Sequence, residues 1–171
     1  MRALVTAGAS GIGRAMAAGF DAKGFEVWVT DVDTAALADL PTHWNGHHVD
    51  AADEAGVAAL FEMIKAAGGL DVLCANAGIA GPTALVEDVA LSDWQKCVSV
   101  NLEGAFLATK YATPIMKAAG AGAIVYTSST AGIYGYPNRA PYAAAKWAII
   151  GPGPYTPLTL PTALRAAALA V

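Results

Sequence analysis

Charged residues are scarce in this 171-residue chain, which carries a net charge of −4 and no basic cluster. That balance argues against nucleic acid as a partner. Cysteine is almost absent: Cys74 and Cys97 each lie in an apolar stretch, which predicts buried free thiols in a reducing compartment rather than a disulfide framework.

The long uncharged runs 118–138 and 147–164 are broken by Gly, Ser, Thr or Pro. Neither resembles a membrane span of about 20 apolar residues. With an apolar strand directly at the N-terminus and no room for a signal peptide, we expect a soluble, cytoplasmic protein.

The residues that are present, 56% hydrophobic and rich in Gly and Ala, suit one compact domain. Apolar runs alternate with helical patterns five times: RALVTA, FEVWVTD, GHHVD, LDVLCANAG and AGAIVYTSS. This alternation predicts an α/β fold, a doubly wound Rossmann-type parallel sheet with strand order 3-2-1-4-5. A long helix is predicted from Ser92, as N-cap, to Ala119, and another from near Arg139.

A glycine-rich turn, TAGASGIG, joins the first strand to the first helix. Gly8, Gly11 and Gly13 permit a tight turn and the close approach of a pyrophosphate to a helix N-terminus. A plain strand–helix turn is the competing interpretation. No Lys-Ser/Thr pair follows, so a phosphate-hydrolysing loop is not favoured.

Asp31 ends the second strand, where a carboxylate can accept hydrogen bonds from a ribose diol and repel a 2′-phosphate. It favours NAD as cofactor and makes NADP the less favoured one. A solvated acid at a strand end is the alternative, and Arg14, just after the glycine turn, leaves the choice of cofactor open.

These motifs, with HVDA, NAG, VNLEG, TSSTAG and YAAAK, resemble the short-chain dehydrogenase/reductase family from residue 2 to about residue 151. The family's turn reads T-G-x-x-x-G-x-G, and here Ala7 and Gly8 exchange the usual first glycine by one place. The resemblance implies a small alcohol or carbonyl substrate and a family that is usually homo-oligomeric. It implies cofactor contacts at Gly8, Ser10, Gly11, Ile12, Gly13, Asp31, Asp50, Asn76, Gly78, Tyr142 and Lys146.

The same resemblance implies the catalytic residues Asn101, Ser129, Tyr142 and Lys146. Ser129 is chosen over Ser128 because the family's serine stands thirteen residues before its tyrosine. Lys146, one helical turn after Tyr142, brings a positive charge that favours the phenolate form needed for proton transfer in an NAD(P)-dependent oxidoreductase. Taken singly, each residue also has a structural interpretation: surface aromatic, solvated charge, turn hydroxyl or helix kink. An extended-branch sugar-nucleotide epimerase shares Tyr-x-x-x-Lys but not this glycine spacing.

The resemblance ends at Gly151, and four prolines follow within residues 152–161. We therefore predict a catalytic domain over 1–151, an irregular tail over 152–171 with at most a short helix in TALRAAALAV, and no counterparts of the family's strands 6 and 7. A shifted reading frame, an internal deletion and a natural short form are the three explanations. The second functional hypothesis is accordingly a truncated nucleotide-binding remnant, which would bind NAD with little or no turnover.

Three histidines, His43, His47 and His48, flank the third strand without a Cys or carboxylate at ligand spacing, so no metal site is predicted. Tyr134 and Tyr136 follow the serine motif and either line a substrate pocket or belong to an ordinary loop.

Overall fold

The protein was analysed as a computed structural model that describes residues 1–151 and 164–169. Its strands are β1 (Arg2–Thr6), β2 (Glu26–Asp31), β3 (Asn45–His48), β4 (Val72–Ala75), β5 (Gly122–Thr127) and β6 (Leu164–Leu169). Its α-helices are α1 (Gly11–Asp21), α2 (Thr34–Ala38), α3 (Glu54–Ala66), α4 (Leu91–Val98), α5 (Gly104–Ala119) and α6 (Ala140–Ile150). All five strand pairings are parallel, in the order β3-β2-β1-β4-β5-β6. The predicted α/β fold and the 3-2-1-4-5 order are confirmed.

Apolar side chains cover the central strands on both sides, as parallel sheets require. On one face Leu4 and Leu73 pack with Leu60 and Ile64 of α3 and with residues of α5. On the other face Val5, Val29 and Cys74 pack against α1 and α2. The sheet is therefore the middle layer of three. Its carboxyl edge is where the loops to α1, α4 and α6 begin.

Local chemistry explains where several helices begin. The side chains of Asp33 and Asp53 accept hydrogen bonds from the first-turn N–H groups of α2 and α3. By contrast, Ser92 is not the cap of α4: the helix begins at Leu91, and Ala90 stands at the cap without a side-chain hydrogen bond. That part of the sequence prediction was wrong, because the chain enters the helix two residues earlier than the nearest capping residue type suggested.

The predicted single helix from Ser92 to Ala119 is interrupted by one π-helical segment, Ser99–Glu103, which separates α4 from α5. Such wide turns insert an extra residue into a helix and recur at functional sites. Asn101 lies in this segment and is fully buried. The sequence did not reveal this segment, because the residues before and after it each show helical spacing.

The predicted tail is wrong at residues 164–169, which form β6 in parallel register with β5, from Gly122 opposite Leu164 to Thr127 opposite Leu169. A counterpart of a sixth strand is thus present. Helix propensity favoured a helix for this alanine-rich run, but the open N–H and C=O groups along β5 offer a complete backbone ladder, and this non-local pairing prevails. Residues 152–163, 170 and 171, where the rest of the tail prediction falls, lie outside the described residues. α6 ends at Ile150, close to the predicted Gly151.

Both cysteines are free and buried, as expected. Within the described residues, no helix combines the length and apolar character needed to cross a membrane.

The β6 pairing predicts an alternating response to proline. In a parallel strand, neighbouring residues point their N–H and C=O groups to opposite sides, and β6 is the last strand in the described order. Of Ala166→Pro and Ala167→Pro, one removes an N–H that bonds β5 and should lower the free energy of unfolding by roughly 1–3 kcal/mol, and the other should lower it by clearly less. Urea unfolding measures both. Equal and negligible effects would contradict the strand.

Candidate active site

A cavity with a volume of about 610 Å³ opens at the carboxyl edge of the sheet. Its wall comes from the glycine turn after β1, the loop after β4, the end of β5 and the first turns of α6. The lining residues are Ala7, Ser10, Gly11, Ile12, Gly13, Asn76, Gly78, Ile79, Ala80, Asn101, Thr127, Ser128, Ser129, Thr130, Tyr136, Arg139, Tyr142 and Lys146.

The glycine turn brings β1 and α1 so close together that side chains are excluded at two positions. A Cβ at Gly13 would collide with the carbonyl oxygen of Ala7, and one at Gly8 would lie 2.9 Å from the carbonyl oxygen of Val5. Ser10 stands at the cap of α1 without a side-chain bond to the helix, and the first turn of α1 contains no acid. The helix therefore presents free N–H groups and a positive dipole end to the cavity, which suits an anion.

Ala7 stands where the resembled family's turn has its first glycine, and its backbone is strained. Its φ is +48°, in the left-handed region that disfavours residues with a Cβ. Its conformation is fixed from both sides, because its carbonyl oxygen accepts from Asn76 Nδ2 at 3.2 Å and the next N–H, of Gly8, donates to Thr30 O at 3.0 Å. The turn thus keeps its shape at the cost of strain at Ala7.

Asn76 ties the glycine turn to the neighbouring strands. Its Nδ2 donates to the carbonyl oxygen of Thr6 at 3.1 Å as well as to Ala7, and its backbone N–H donates to Thr6 Oγ1 at 2.9 Å. Its Oδ1 accepts from Thr127 Oγ1, at the end of β5, at 3.1 Å. The amide is therefore held by β1 on one side and β5 on the other.

Lys146 is almost fully buried, and its Nζ donates to the carbonyl oxygen of Thr127 at 2.8 Å. The same Nζ lies 5.7 Å from the centre of the Tyr142 ring, one helical turn back on α6. Burial lowers the pKa of Lys146 to about 8. The ammonium form still predominates at pH 7, so a positive charge stands beside Tyr142.

The two serines at the end of β5 have different hydrogen-bond partners. Ser128 Oγ donates to the carbonyl oxygen of Lys146 at 2.9 Å and so fixes α6 to the sheet. Ser129 Oγ accepts from the N–H of Ala131 at 3.2 Å, which leaves its own O–H free to donate. Both line the cavity, but only Ser129 has a hydroxyl proton to offer there.

Asn101 braces the loop after β4 from within the π-helical segment. Its Oδ1 accepts from the N–H of Ile79 at 3.2 Å, and its Nδ2 donates to Ile79 O at 2.9 Å and Cys97 O at 2.8 Å. A Cβ at Gly78 would lie 3.3 Å from Lys146 Nζ, so the loop, Asn101 and the lysine meet at one place.

Three of the predicted cofactor residues, Gly8, Asp31 and Asp50, do not line the cavity. Asp31 lies against the glycine turn, where its Oδ2 accepts from the N–H of Ala9 at 3.2 Å. Asp50 is exposed after β3, and its Oδ1 accepts from the N–H of Ala52 at 2.9 Å. The structure brings the other predicted site residues together around one cavity.

Thr127 and Arg139 are among the lining residues that sequence reasoning missed. Thr127 precedes the serine motif and looks like an ordinary strand residue, whereas Arg139 stands three residues before Tyr142, a spacing that could have marked it.

Tyr136 lines the cavity, and Tyr134 is 70% exposed and does not. His43 bonds Asp21, His47 stacks on Trp28, and the described residues contain no group of three or more possible metal ligands.

The parallel sheet and the cavity at its carboxyl edge define a Rossmann-type α/β protein. The short chain dehydrogenase family matches residues 1–152, and the chain belongs to that family. It is 38% identical over 153 residues to the 2-dehydro-3-deoxy-L-rhamnonate dehydrogenase (NAD(+)) of Sphingomonas sp. (strain SKA58), covering 87% of this chain and 61% of that protein. It is 42% identical over 151 residues to the cis-4-hydroxycyclohexanecarboxylate dehydrogenase of Sinomonas cyclohexanicum, covering 84% of this chain and 61% of that protein.

Solved structures agree with this assignment. NAD+-bound xylitol dehydrogenase superposes with a TM-score of 0.91 at 29% identity, covering 98% of this chain and 68% of that one. Levodione reductase gives a TM-score of 0.88 at 33% identity, with 98% and 69% covered. The relatives' names are those of dehydrogenases and reductases, which supports an oxidoreductase role. The chain spans about 61% of the length of the two curated relatives.

The strain at Ala7 predicts that Ala7→Gly stabilises the protein. Glycine adopts a positive φ without a Cβ clash, and this gain should exceed the added freedom of the unfolded chain, for a net increase of up to ~1 kcal/mol. Ala9→Gly is the matched control, because Ala9 is buried in the same turn but has no positive φ. This variant should have a free energy of unfolding about 0.5–1 kcal/mol lower than that of the native chain. Urea unfolding measures both. A loss of stability in Ala7→Gly would contradict the strained turn.

The burial of Lys146 predicts a pH-dependent stability. Its pKa in the folded state, about 8, lies below the usual 10.5. The burial of its charge therefore destabilises the folded state fully below pH 8, and this destabilisation disappears as the pH rises towards 10.5. The free energy of unfolding should therefore rise across this interval by roughly 1–3 kcal/mol more in the native chain than in Lys146→Met. Urea unfolding at pH 7, 8, 9 and 10 compares the two slopes. Identical slopes would show that the lysine does not titrate abnormally.

Proposed function

We propose that the protein is an NAD-dependent oxidoreductase that interconverts an alcohol and a carbonyl compound by hydride transfer. The observation that carries the proposal is the buried ammonium group of Lys146, held between Thr127 O and the Tyr142 ring in the same cavity as the glycine turn. A buried cation beside a phenol, next to a turn fitted for a pyrophosphate, suits acid–base catalysis coupled to a dinucleotide.

The residues fit such a cofactor. The close approach at Gly13 and the uncapped N-terminus of α1 suit the pyrophosphate, and Asn76 and Gly78 line the cavity between the turn and Lys146. A bound nicotinamide cofactor supplies the hydride acceptor or donor. The residues of this chain hold it, orient the substrate oxygen and move the proton.

For alcohol oxidation, Tyr142 as phenolate accepts the hydroxyl proton of the substrate while the carbinol hydride leaves. The Ser129 hydroxyl, free to donate, stabilises the negative charge that develops on the substrate oxygen. The Lys146 charge stands beside Tyr142 and also suits the ribose hydroxyls of the cofactor. In the reverse direction Tyr142 gives the proton back to the carbonyl oxygen. Asn101 keeps the loop at Ile79 in place beside the lysine.

Two contacts favour NAD over NADP. The Asp31 carboxylate lies against the glycine turn through its bond from Ala9 N–H, where it suits the adenine ribose diol and repels a 2′-phosphate. Arg14, the cation that could have offset this charge, is engaged by Asp39 through Nη1 to Oδ2 and Nη2 to the carbonyl oxygen, both 2.9 Å. Asp50, after β3, remains a proposed contact of the adenine ring.

The role of Tyr142 predicts that Tyr142→Phe lowers turnover by a factor of about 100 or more, the usual effect of a lost acid–base group. NADH affinity, measured by fluorescence titration, should be preserved. Tyr134→Phe is the matched control and should leave turnover unchanged, because Tyr134 is exposed and outside the cavity. Turnover that survives in Tyr142→Phe would contradict the mechanism. NAD binding without turnover in the unaltered chain would instead favour a nucleotide-binding remnant.

Asp31 predicts the cofactor preference. NAD should bind more tightly than NADP, and Asp31→Asn should narrow the difference because it removes the charge that repels the 2′-phosphate while keeping an oxygen for the turn. Asp71→Asn is the control of equal charge change: Asp71 bonds Arg2 at the opposite edge of the sheet, so the ratio should not move. Fluorescence titration of all three chains with both cofactors decides it, and tighter NADP binding by the native chain would contradict the assignment.

A further inference from the structure

Arg139 is a cavity residue to which the proposed chemistry gives no role. It stands at the cap of α6, three residues before Tyr142, and lines the same cavity. Its Nη1 donates to the carbonyl oxygen of Ala80, on the loop after β4, at 2.9 Å. This bond holds the guanidinium at the mouth of the cavity, about one helical turn from the group proposed to transfer the proton.

The charge around Arg139 is not balanced by any described residue. Of the lining residues, Arg139 and Lys146 are cationic and none is acidic. Neither cation takes part in an ion pair within the described part of the chain. Residues 151–171 contain no Asp or Glu, so that stretch offers no side-chain carboxylate either.

The guanidinium also has donors to spare. An arginine carries five N–H donors in a planar fork that matches a carboxylate in a bidentate arrangement. One donor reaches Ala80 O, and no other hydrogen bond of this side chain occurs among the described residues. The phosphates of a dinucleotide are already served by the turn and the N-terminus of α1. Arg139 instead stands at the cap of the helix that carries Tyr142, the group proposed to take the substrate's proton.

We propose that Arg139 binds a carboxylate of the substrate, so that the substrate class is a hydroxy acid and its keto-acid counterpart. This inference rests on the proposed function of the same site. The carboxylate takes no part in the bond changes: the hydride passes from the carbinol carbon to the oxidised nicotinamide, the hydroxyl proton passes to the Tyr142 phenolate, and the carboxylate stays paired with the guanidinium throughout. Arg139 is thus a specificity-determining residue.

The test compares a hydroxy acid with its neutral amide, 3-hydroxybutanoate with 3-hydroxybutanamide, by calorimetric titration of the 171-residue chain with and without NADH. The acid should bind at least about 10-fold more tightly than the amide, the usual scale for a charge-assisted hydrogen bond. Arg139→Gln should abolish that preference and leave amide affinity unchanged, since glutamine keeps a donor for Ala80 O. Arg139→Lys should restore part of the preference for the acid.

Lys96→Gln is the matched control, because Lys96 is an exposed cation on α4 that does not line the cavity. It should leave both affinities unchanged. Equal binding of acid and amide by the native chain, or no detectable binding of either, would overturn the proposal. So would an Arg139→Gln variant that weakens both probes equally, as a mere tether of the loop would, or one that weakens NADH alone.

The titrations without NADH separate this inference from the proposed function. Failure of NADH to bind with a retained preference for the acid would reject the cofactor assignment and keep the anion subsite. Normal NADH binding without a preference for the acid would reject the anion subsite and keep the cofactor assignment.

Discussion

One polar network at the carboxyl edge of the sheet holds the rest of the site in place. Thr6 accepts the N–H of Asn76, the Asn76 amide bonds the backbone of the glycine turn, Thr127 donates its hydroxyl to Asn76, and the Thr127 carbonyl accepts from Lys146. Thr127 is therefore the junction between two halves: its hydroxyl faces the turn that suits a pyrophosphate, and its carbonyl faces the Tyr142–Lys146 helix. Because the groups are buried or nearly so, leaving any one without its partner would be costly, so the two halves keep a fixed relative position.

The network also accounts for two unfavourable features of the chain. Lys146 is buried as a cation, which lowers its pKa, and Ala7 is held at a positive φ. Both would relax if they were free to do so. Thr127 O and the Tyr142 ring keep Lys146 in place. Asn76 and the close packing of Gly13 keep Ala7 at its positive φ. Strain and buried charge concentrated at one edge, beside a cavity of about 610 Å³, are typical of a functional site rather than of a structural core.

The sequence allowed the prediction of the elements that local pattern determines: five parallel strands, the glycine turn, and the spacing of Ser129, Tyr142 and Lys146. It did not reveal β6, because an alanine-rich run has local helix propensity and the ladder on β5 that recruits it is a tertiary feature. Nor did it reveal the π-helical segment around Asn101, because each flanking run keeps its own helical spacing and no residue type marks the inserted turn. Arg139 was missed for a third reason. One cation in a motif becomes informative only when the cavity around it proves to contain no acid.

A double-mutant cycle between Thr6→Val and Thr127→Val tests most directly whether the two halves form one unit. Each substitution removes a hydroxyl that bonds Asn76 and leaves the other bond in place. Urea unfolding of both single variants and the double variant should give a coupling free energy of about 0.5–3 kcal/mol. Thr127→Val combined with Thr30→Val should give none, because Thr30 is buried on β2 and its hydroxyl makes no side-chain hydrogen bond among the described residues. Strict additivity of Thr6→Val and Thr127→Val would contradict the account.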